Sequence, residues 1–365
     1  MGLKANQEAY NKPHRHYHNY HHIENVLRSL DVWESAQERA LEMDEDNPHR
    51  EQVLSRYGGL KALSKDERRW LRDAIEYHDI VYEPGASDNE ELSAQKFRQW
   101  SPHEPKVTKI IEGLIMATKA PFEPKTELEK LMIYLDWSHF SRHDGERLDY
   151  INKAIFKEFQ SVPFRKYAYY RDSFLGYDAP RVPDKLVGDY VTQNMADDLK
   201  EGITQSLLLS KAFRPRIGIY AGSFNPFHDG HAHVVTKAEA VLDKVVIAQI
   251  RNPAKNAEIA DLPDYYRRYY ETHTFEQGIS IVDIVKTIER SGNEYRQFAL
   301  ADFFLVRGIR NGADLADEQS LMVHYRNMGL DIPVMHILCD PEFQHISSTA
   351  VRNLRAVGFD LYTSK

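Results

Sequence analysis

Gly222-Ser223-Phe224-Asn225-Pro226-Phe227-His228-Asp229-Gly230-His231 follows a short apolar run at residues 216–221. It leads into helical spacing, with Val234, Val235, Ala238, Val241 and Leu242 on one face. A strand that ends in glycine and turns into a helix is where an α/β sheet binds ligands, outside the carboxyl ends of its strands. Gly222 lets the backbone approach a phosphate closely. His228 and His231, three residues apart, can meet one anion from a tight turn, and the helix start adds N–H donors and a positive dipole end. Outward from this stretch, residues 244–250 form a β-branched run, 303–306 and 334–338 are further apolar runs, and 348–357 has the pattern of a closing helix. Strands alternating with helices predict a parallel sheet covered on both faces.

Three further pieces fall after a strand or before a helix. Asn252-Pro253-Ala254-Lys255 follows the second strand and offers one ammonium. Arg307-Gly308-Ile309-Arg310 follows the 303–306 run and offers two guanidiniums suited to bidentate phosphate contacts. Ile346-Ser347-Ser348-Thr349 precedes the last helix and offers hydroxyls and free N–H groups at its cap.

Residues 222–231 resemble the G-[ST]-F-x-P-x-[HT]-x-G-H motif of the adenylyltransferase and cytidylyltransferase superfamily. Within it the chain looks most like the phosphopantetheine adenylyltransferases. Residues 252–255 match that family's N-P-x-K, and 307–310 match its R-G-[LI]-R. Asp314 and Glu318 keep the spacing of its following D-x-x-x-E, and 346–349 with Arg352 match its I-S-S-[ST] helix start. The resemblance spans residues 216–359. It implies that His231 stabilises the transition state at the α-phosphate of ATP and that Lys255 and Arg307 hold the acceptor's phosphate. It implies that Ser223 touches both substrates, and that Gly308, Arg310, Glu318, Ser347, Ser348 and Thr349 hold ATP, with Mg²⁺ neutralising the triphosphate. Phe224, His228 and Gly230 complete the expected substrate wall. His228 stands where the family usually has Thr, and Asp317 where it has Tyr. The acceptor is therefore read as 4′-phosphopantetheine or, alternatively, nicotinamide mononucleotide.

The first half reads as helices: 23–30, 66–77, 106–117 and 126–138 carry apolar residues at spacings of three and four, and 187–209 follows the same pattern. Residues 176–184, rich in Pro, Gly and Asp, read as a loop. The expected domains are 1–210, all-helical, and 214–365, Rossmann-like α/β. Tyr17-His18-Asn19-Tyr20-His21-His22-Ile23 opens one helix, Tyr77-His78-Asp79 ends another, and Asp136 sits late in a third. Imidazoles with carboxylates suit a divalent metal. Together with Asn89-Glu90-Glu91-Leu92-Ser93-Ala94, this set resembles the HD superfamily of metal-dependent phosphohydrolases over residues 13–194. The resemblance implies His22, His78, Asp79 and Asp136 as ligands of one divalent metal, with His18 and Glu90 behind them. Two features depart from the branch it matches. Thr118-Lys119-Ala120-Pro121 lacks the His of T-x-x-H, and Asp136-Trp137-Ser138-His139 keeps only the first Asp of D-x-D-L.

A chain of 365 residues predicts about two domains of roughly 150 residues. The net charge of -8 supplies no basic field for a nucleic-acid backbone. The single Cys339 excludes an internal disulfide. No apolar run spans a bilayer, and neither a secretory signal nor a myristoylation pattern is legible at the start. The expectation is a cytoplasmic bifunctional enzyme whose partners are ATP and a phosphorylated small molecule, with no nucleic acid or membrane partner; the alternative is a nicotinamide-mononucleotide adenylyltransferase whose metal domain is regulatory and does not hydrolyse. The transferase resemblance adds a homo-oligomer.

Overall fold

The structure, a computed structural model, describes residues 3–141, 144–251, 261–276, 279–292, 294–295 and 300–362. The chain divides into two compact units, residues 1–158 with 170–212, and residues 159–169 with 213–365. The chain passes from the first unit to the second at 212/213. The return of 159–169 to the second unit was not legible in the sequence.

The first unit is helical. Its spine is Tyr20–Glu42, which buries Ile23, Val26, Leu30, Trp33 and Ala40 along one stripe. Lys65–Tyr77 and Glu127–Asp136 each begin with a reciprocal cap. In these, Ser64 pairs with Glu67 and Thr126 with Glu129, satisfying orphan N–H groups at the helix start. Asn89–Trp100, Pro105–Ala117, Gly145–Glu158 and Gln193–Ala212 complete the bundle. Two expectations are corrected here. Residues 176–184 are helical turns, not a loop: Ala179–Arg181 and Val182–Leu186 carry Pro180 and Pro183 in their first turns, where a missing N–H costs nothing. Burial of Leu175, Ala179, Val182 and Leu186 supplies the drive to fold them. The helix expected over 187–209 starts only at Gln193, because residues 188–191 close a turn in which Gly188 N–H donates to the Val191 carbonyl at 2.8 Å.

The second unit is a five-stranded parallel sheet: β1 Arg216–Gly222, β2 Lys244–Ile250, β3 Thr272–Phe275, β4 Asp302–Ile309 and β5 Val334–Leu338, in the order β3-β2-β1-β4-β5. All four pairings are parallel. Strand order reverses between β1 and β4, so the two chain segments leaving those strands diverge and open a crevice at their carboxyl ends. Residues 159–169 are tied to the opposite end of this sheet. The ammonium of Lys244, the first residue of β2, is fully buried. It pairs with Glu271 at 3.1 Å and donates to the carbonyls of Gln160 and, at 2.9 Å, Val162. Gln160 also accepts from Glu271 N at 2.9 Å and donates to the Asp243 carbonyl at 3.0 Å. No helix of the described residues is long and apolar enough to cross a membrane.

Candidate functional site

In the second unit the segment between β1 and the helix Asp229–Glu239 forms the floor of a cavity of about 400 Å³. Phe224 holds φ +42, a left-handed backbone rare for a bulky residue. Its ring is buried against Tyr220, Phe227 and His231, at 5.0, 5.7 and 5.0 Å between ring centres. That packing offsets the backbone cost. The His228 and His231 rings stack 3.6 Å apart. The backbone N–H of His228 donates to His231 Nδ1 at 3.2 Å. With Nδ1 accepting, the His231 proton sits on Nε2. Burial pushes the His228 imidazole down to about 4, so it is neutral near pH 7, and its Nδ1 has no partner among the described residues.

β4 brings in the two arginines. Arg307 donates to Glu318 from Nε at 3.0 Å and from a terminal nitrogen at 2.5 Å, and to the Ala221 carbonyl at 3.1 Å. Arg310 forks onto Asp314 at 2.8 and 2.9 Å. A Cβ on Gly308 would lie 2.8 Å from Val234 Cγ2, so only glycine lets β4 run this close to the helix beneath the cavity. Opposite, Ser347 caps the helix Ser348–Ala356, its hydroxyl accepting from Ala350 N at 3.1 Å. Arg352 donates to the Asn225 carbonyl at 2.5 Å and to the Thr349 hydroxyl at 3.0 Å, which joins this helix to the 222–231 segment.

The structure therefore brings Ser223, Phe224, His228, Gly230, His231, Arg307, Gly308, Arg310, Ser347, Ser348 and Thr349 around one cavity. Glu318 is a correction: it is buried behind the wall as the partner of Arg307 and does not line the cavity, because the guanidinium supplies the charge its desolvated carboxylate needs. Lys255 lies outside the described residues. Tyr220, Val234, Cys339, Phe343 and Ile346 also line the cavity and were not expected. Cys339 directly follows β5, so the rule that strand carboxyl ends face the ligand could have found it.

A cavity at the switch point of a parallel sheet, walled by stacked imidazoles, two guanidiniums and a helix N-terminus, offers positive charge and N–H donors to a polyphosphate, the arrangement expected of a nucleotidyltransferase. A cytidylyltransferase-like family model matches residues 219–354. The phosphopantetheine adenylyltransferase of Levilactobacillus brevis is 27% identical over 158 residues, 40% of this chain and 86% of that enzyme. That of Streptococcus pneumoniae (strain Hungary19A-6) is 30% identical over 148 residues, 40% of this chain and 87% of the enzyme. That of Mycoplasma capricolum is 29% identical over 139 residues, covering 38% and 96%. Through its second unit, the chain belongs to the phosphopantetheine adenylyltransferase family.

The first unit gathers a separate set. Asn19 caps the helix Tyr20–Glu42, accepting from His21 N at 3.0 Å and His22 N at 3.3 Å, which turns His22 inward. His78 and Asp79 leave the end of Lys65–Tyr77, and Asp136 ends Glu127–Asp136. His22 Nε2 lies 3.1 Å from Asp136 and 3.6 Å from Asp79; His78 Nε2 lies 3.1 Å from Asp79 and 3.4 Å from Asp136. Donor atoms of His22, His78 and Asp136 lie within 4.8 Å of one another. His78 Nδ1 is 2.9 Å from the Ile75 carbonyl, an obligate acceptor, so the proton sits on Nδ1 and the lone pair of Nε2 faces the quartet. That Nε2 is buried without a hydrogen-bond partner among the described residues. An orphaned lone pair, a second imidazole and two carboxylates fit a divalent cation. Burial would raise both carboxylates, but when the imidazoles are protonated instead, His78 beside Asp79 and His22 beside Asp136 hold them well below the ordinary range.

Behind the quartet stands Glu158, fully buried, which accepts from Tyr17 N at 2.7 Å, His18 N at 2.8 Å and the Tyr82 hydroxyl at 2.8 Å, and meets His18 Nδ1 at 2.6 Å. Burial opposes a charge on His18, and the carboxylate overrides it and raises the imidazole. Arg15 donates to the carbonyls of His18 at 3.0 Å, Asp79 at 2.7 Å and Ile80 at 3.1 Å, clamping the turn that carries Asp79. Asn89 and Ser93 pin the next loop, through Glu83 and Val81. Two of the motif's residues are thus scaffold. Glu90 is half-buried; burial first, then Asp79, raises its carboxyl. Arg15 and Glu158 escaped the sequence reading, since neither lies within a recognised spacing.

Proposed function

We propose that the second unit transfers the adenylyl group of ATP to the phosphate of 4′-phosphopantetheine, releasing pyrophosphate and forming dephospho-coenzyme A, and that the first unit is a metal-dependent phosphohydrolase. The observation that carries the transferase reading is the convergence of His231, Arg307, Arg310 and the 347–349 helix start on one cavity at the switch point. In that reading an acceptor phosphate oxygen attacks the α-phosphorus in line, and the bond from that phosphorus to the bridging oxygen breaks. His231 donates from Nε2 to the oxygen on which charge grows, and preorganised donors of this kind are worth about 10²–10³ in rate. Arg310 and the N–H groups at 347–349 hold the departing pyrophosphate, and Mg²⁺ enters with the triphosphate. Arg307, anchored by Glu318 and Ala221, fixes the acceptor phosphate beside Ser223. The names and the coverage of the relatives support phosphopantetheine as acceptor. The paired histidines at 228 and 231 favour a second reading, nicotinamide mononucleotide as acceptor, and mass spectrometry of products from ATP with each acceptor separates the two.

For the first unit, the orphaned His78 Nε2 within the quartet supports metal binding. A divalent ion held by His22, His78, Asp79 and Asp136 would make a bound water nucleophilic near neutral pH. The chain's own contribution is orientation: Asn19 sets His22, the Ile75 carbonyl sets the His78 tautomer, and Arg15 sets the Asp79 turn. Hydrolysis of phosphoesters with added Mn²⁺, lost on Asp79→Ala, tests this reading.

A further inference from the structure

A cavity of about 280 Å³ opens beside the quartet, and His22 and Asp136 form part of its wall. Asp136 is the only carboxylate lining it among the described residues. Arg28 and Arg147 line the same cavity. Among the described residues Arg28 meets only the amide oxygen of Asn25, at 3.3 Å, and the guanidinium of Arg147 has neither an ion pair nor a hydrogen bond. A guanidinium on a concave wall with no carboxylate of its own is suited to an anion.

His139 lines the same wall. Its Nδ1 lies 3.3 Å from the Asp136 carbonyl, which can only accept, and 3.0 Å from the Tyr17 hydroxyl. Its Nε2 is buried, so the ring closes the wall of the cavity. Tyr150 and Ile151 add an apolar side to the cavity. The volume is at the low end for ligand sites, too small for a polymer.

Resting on the hydrolase reading of the first unit, we infer that this cavity is the subsite for a small phosphomonoester, with Arg147 and Arg28 gripping the dianionic phosphate beside His22 and Asp136. Two guanidiniums against one carboxylate, itself a member of the quartet, match a dianion better than the single charge of a diester. In the reaction the water oxygen bonds to phosphorus, the ester P–O bond breaks, and the water's proton ends on the departing oxygen, giving an alcohol and inorganic phosphate.

The test uses the full chain with Mn²⁺ and inorganic phosphate as probe. Calorimetry reads the component of phosphate binding that disappears on Asp79→Ala, which separates it from binding in the second unit. Arg147→Ala is expected to weaken that component about tenfold or more while leaving Mn²⁺ affinity unchanged, and Arg147→Lys to restore part of it. With p-nitrophenyl phosphate, Arg147→Ala should act on KM, and bis(p-nitrophenyl) phosphate should be the poorer substrate. Unchanged phosphate affinity in Arg147→Ala, or faster turnover of the diester, overturns the subsite. Absence of any turnover, with the Asp79-dependent phosphate component intact and Arg147-sensitive, sinks the hydrolase reading and leaves the anion site standing.

Discussion

Replacing Lys244 with Met keeps the aliphatic stem and removes the ammonium from the base of the sheet. Lys244 has no exposed side-chain surface, and Glu271 is only 5% exposed. After the change Glu271 keeps His273 at 2.7 Å and Ser291 at 3.1 Å, but loses its cation. Val162 loses a donor, whereas the Gln160 carbonyl retains Glu271 N. Breaking a buried pair by removing one partner costs about 3–5 kcal/mol, and the two surviving contacts on Glu271 place this case near the lower figure, about 3 kcal/mol. For a unit of this size that is a drop of about 6–12 °C in melting temperature. All four tryptophans, Trp33, Trp70, Trp100 and Trp137, lie in the first unit, so tryptophan fluorescence reports its unfolding and circular dichroism reports both units. The dichroism transition of the second unit should move down by that amount while the tryptophan transition holds. The double variant Lys244→Met/Glu271→Leu should recover part of the loss, because no uncompensated charge remains. A shift worth less than about 1 kcal/mol in Lys244→Met would refute the view that residues 159–169 are locked to the sheet by this ion pair.

Three further outcomes follow from the two sites. Arg310→Ala should weaken ATP binding about tenfold or more, read by calorimetry, since it removes a guanidinium from the cavity and leaves Asp314 as an unpaired negative charge beside it. Asp79→Ala should abolish bound Mn²⁺ measured by metal analysis of the full chain without lowering the second unit's melting transition. The His18–Glu158 contact should shape the pH dependence of the first unit's stability. Glu158 is lowered from 4.5, so its contribution is complete above that value and is lost as pH falls through the folded one. His18 is raised from 6.5, so its contribution is complete below that value and is lost as pH rises through the folded one. Tryptophan-detected melting should peak between these limits in the native chain, and Glu158→Gln should flatten the profile.

The α/β unit was legible because each of its phosphate-facing pieces is local. A strand run, a glycine and a helix start fall within a dozen residues around Gly222, and β2 and β5 match the expected runs 244–250 and 334–338. β3 was invisible. Thr272–Phe275 is four residues long, and only Phe275 is buried, so no alternation could emerge. Glu318 was misread for a related reason. The spacing that places it on the helix Gly312–Asn327 does not reveal whether its carboxylate faces the ligand or Arg307, a choice made by tertiary packing. In the first unit the ligand candidates His22, His78, Asp79 and Asp136 lie at helix ends and could be picked out by residue type. Glu158, 140 positions from His18, could not, because a buried carboxylate at the end of an ordinary amphipathic helix has no local signature.

The transferase account stands on His231 acting at the α-phosphate within the cavity it shares with Arg307 and Arg310. The most direct measurement is pyrophosphate release by the full chain supplied with Mg²⁺, ATP and 4′-phosphopantetheine, with the product weighed by mass spectrometry. The account predicts dephospho-coenzyme A in equal amount to pyrophosphate, and a fall in kcat of about 10²–10³ in His231→Ala with the melting profile unchanged. Acceptor-independent pyrophosphate release, or full turnover by His231→Ala, would contradict it.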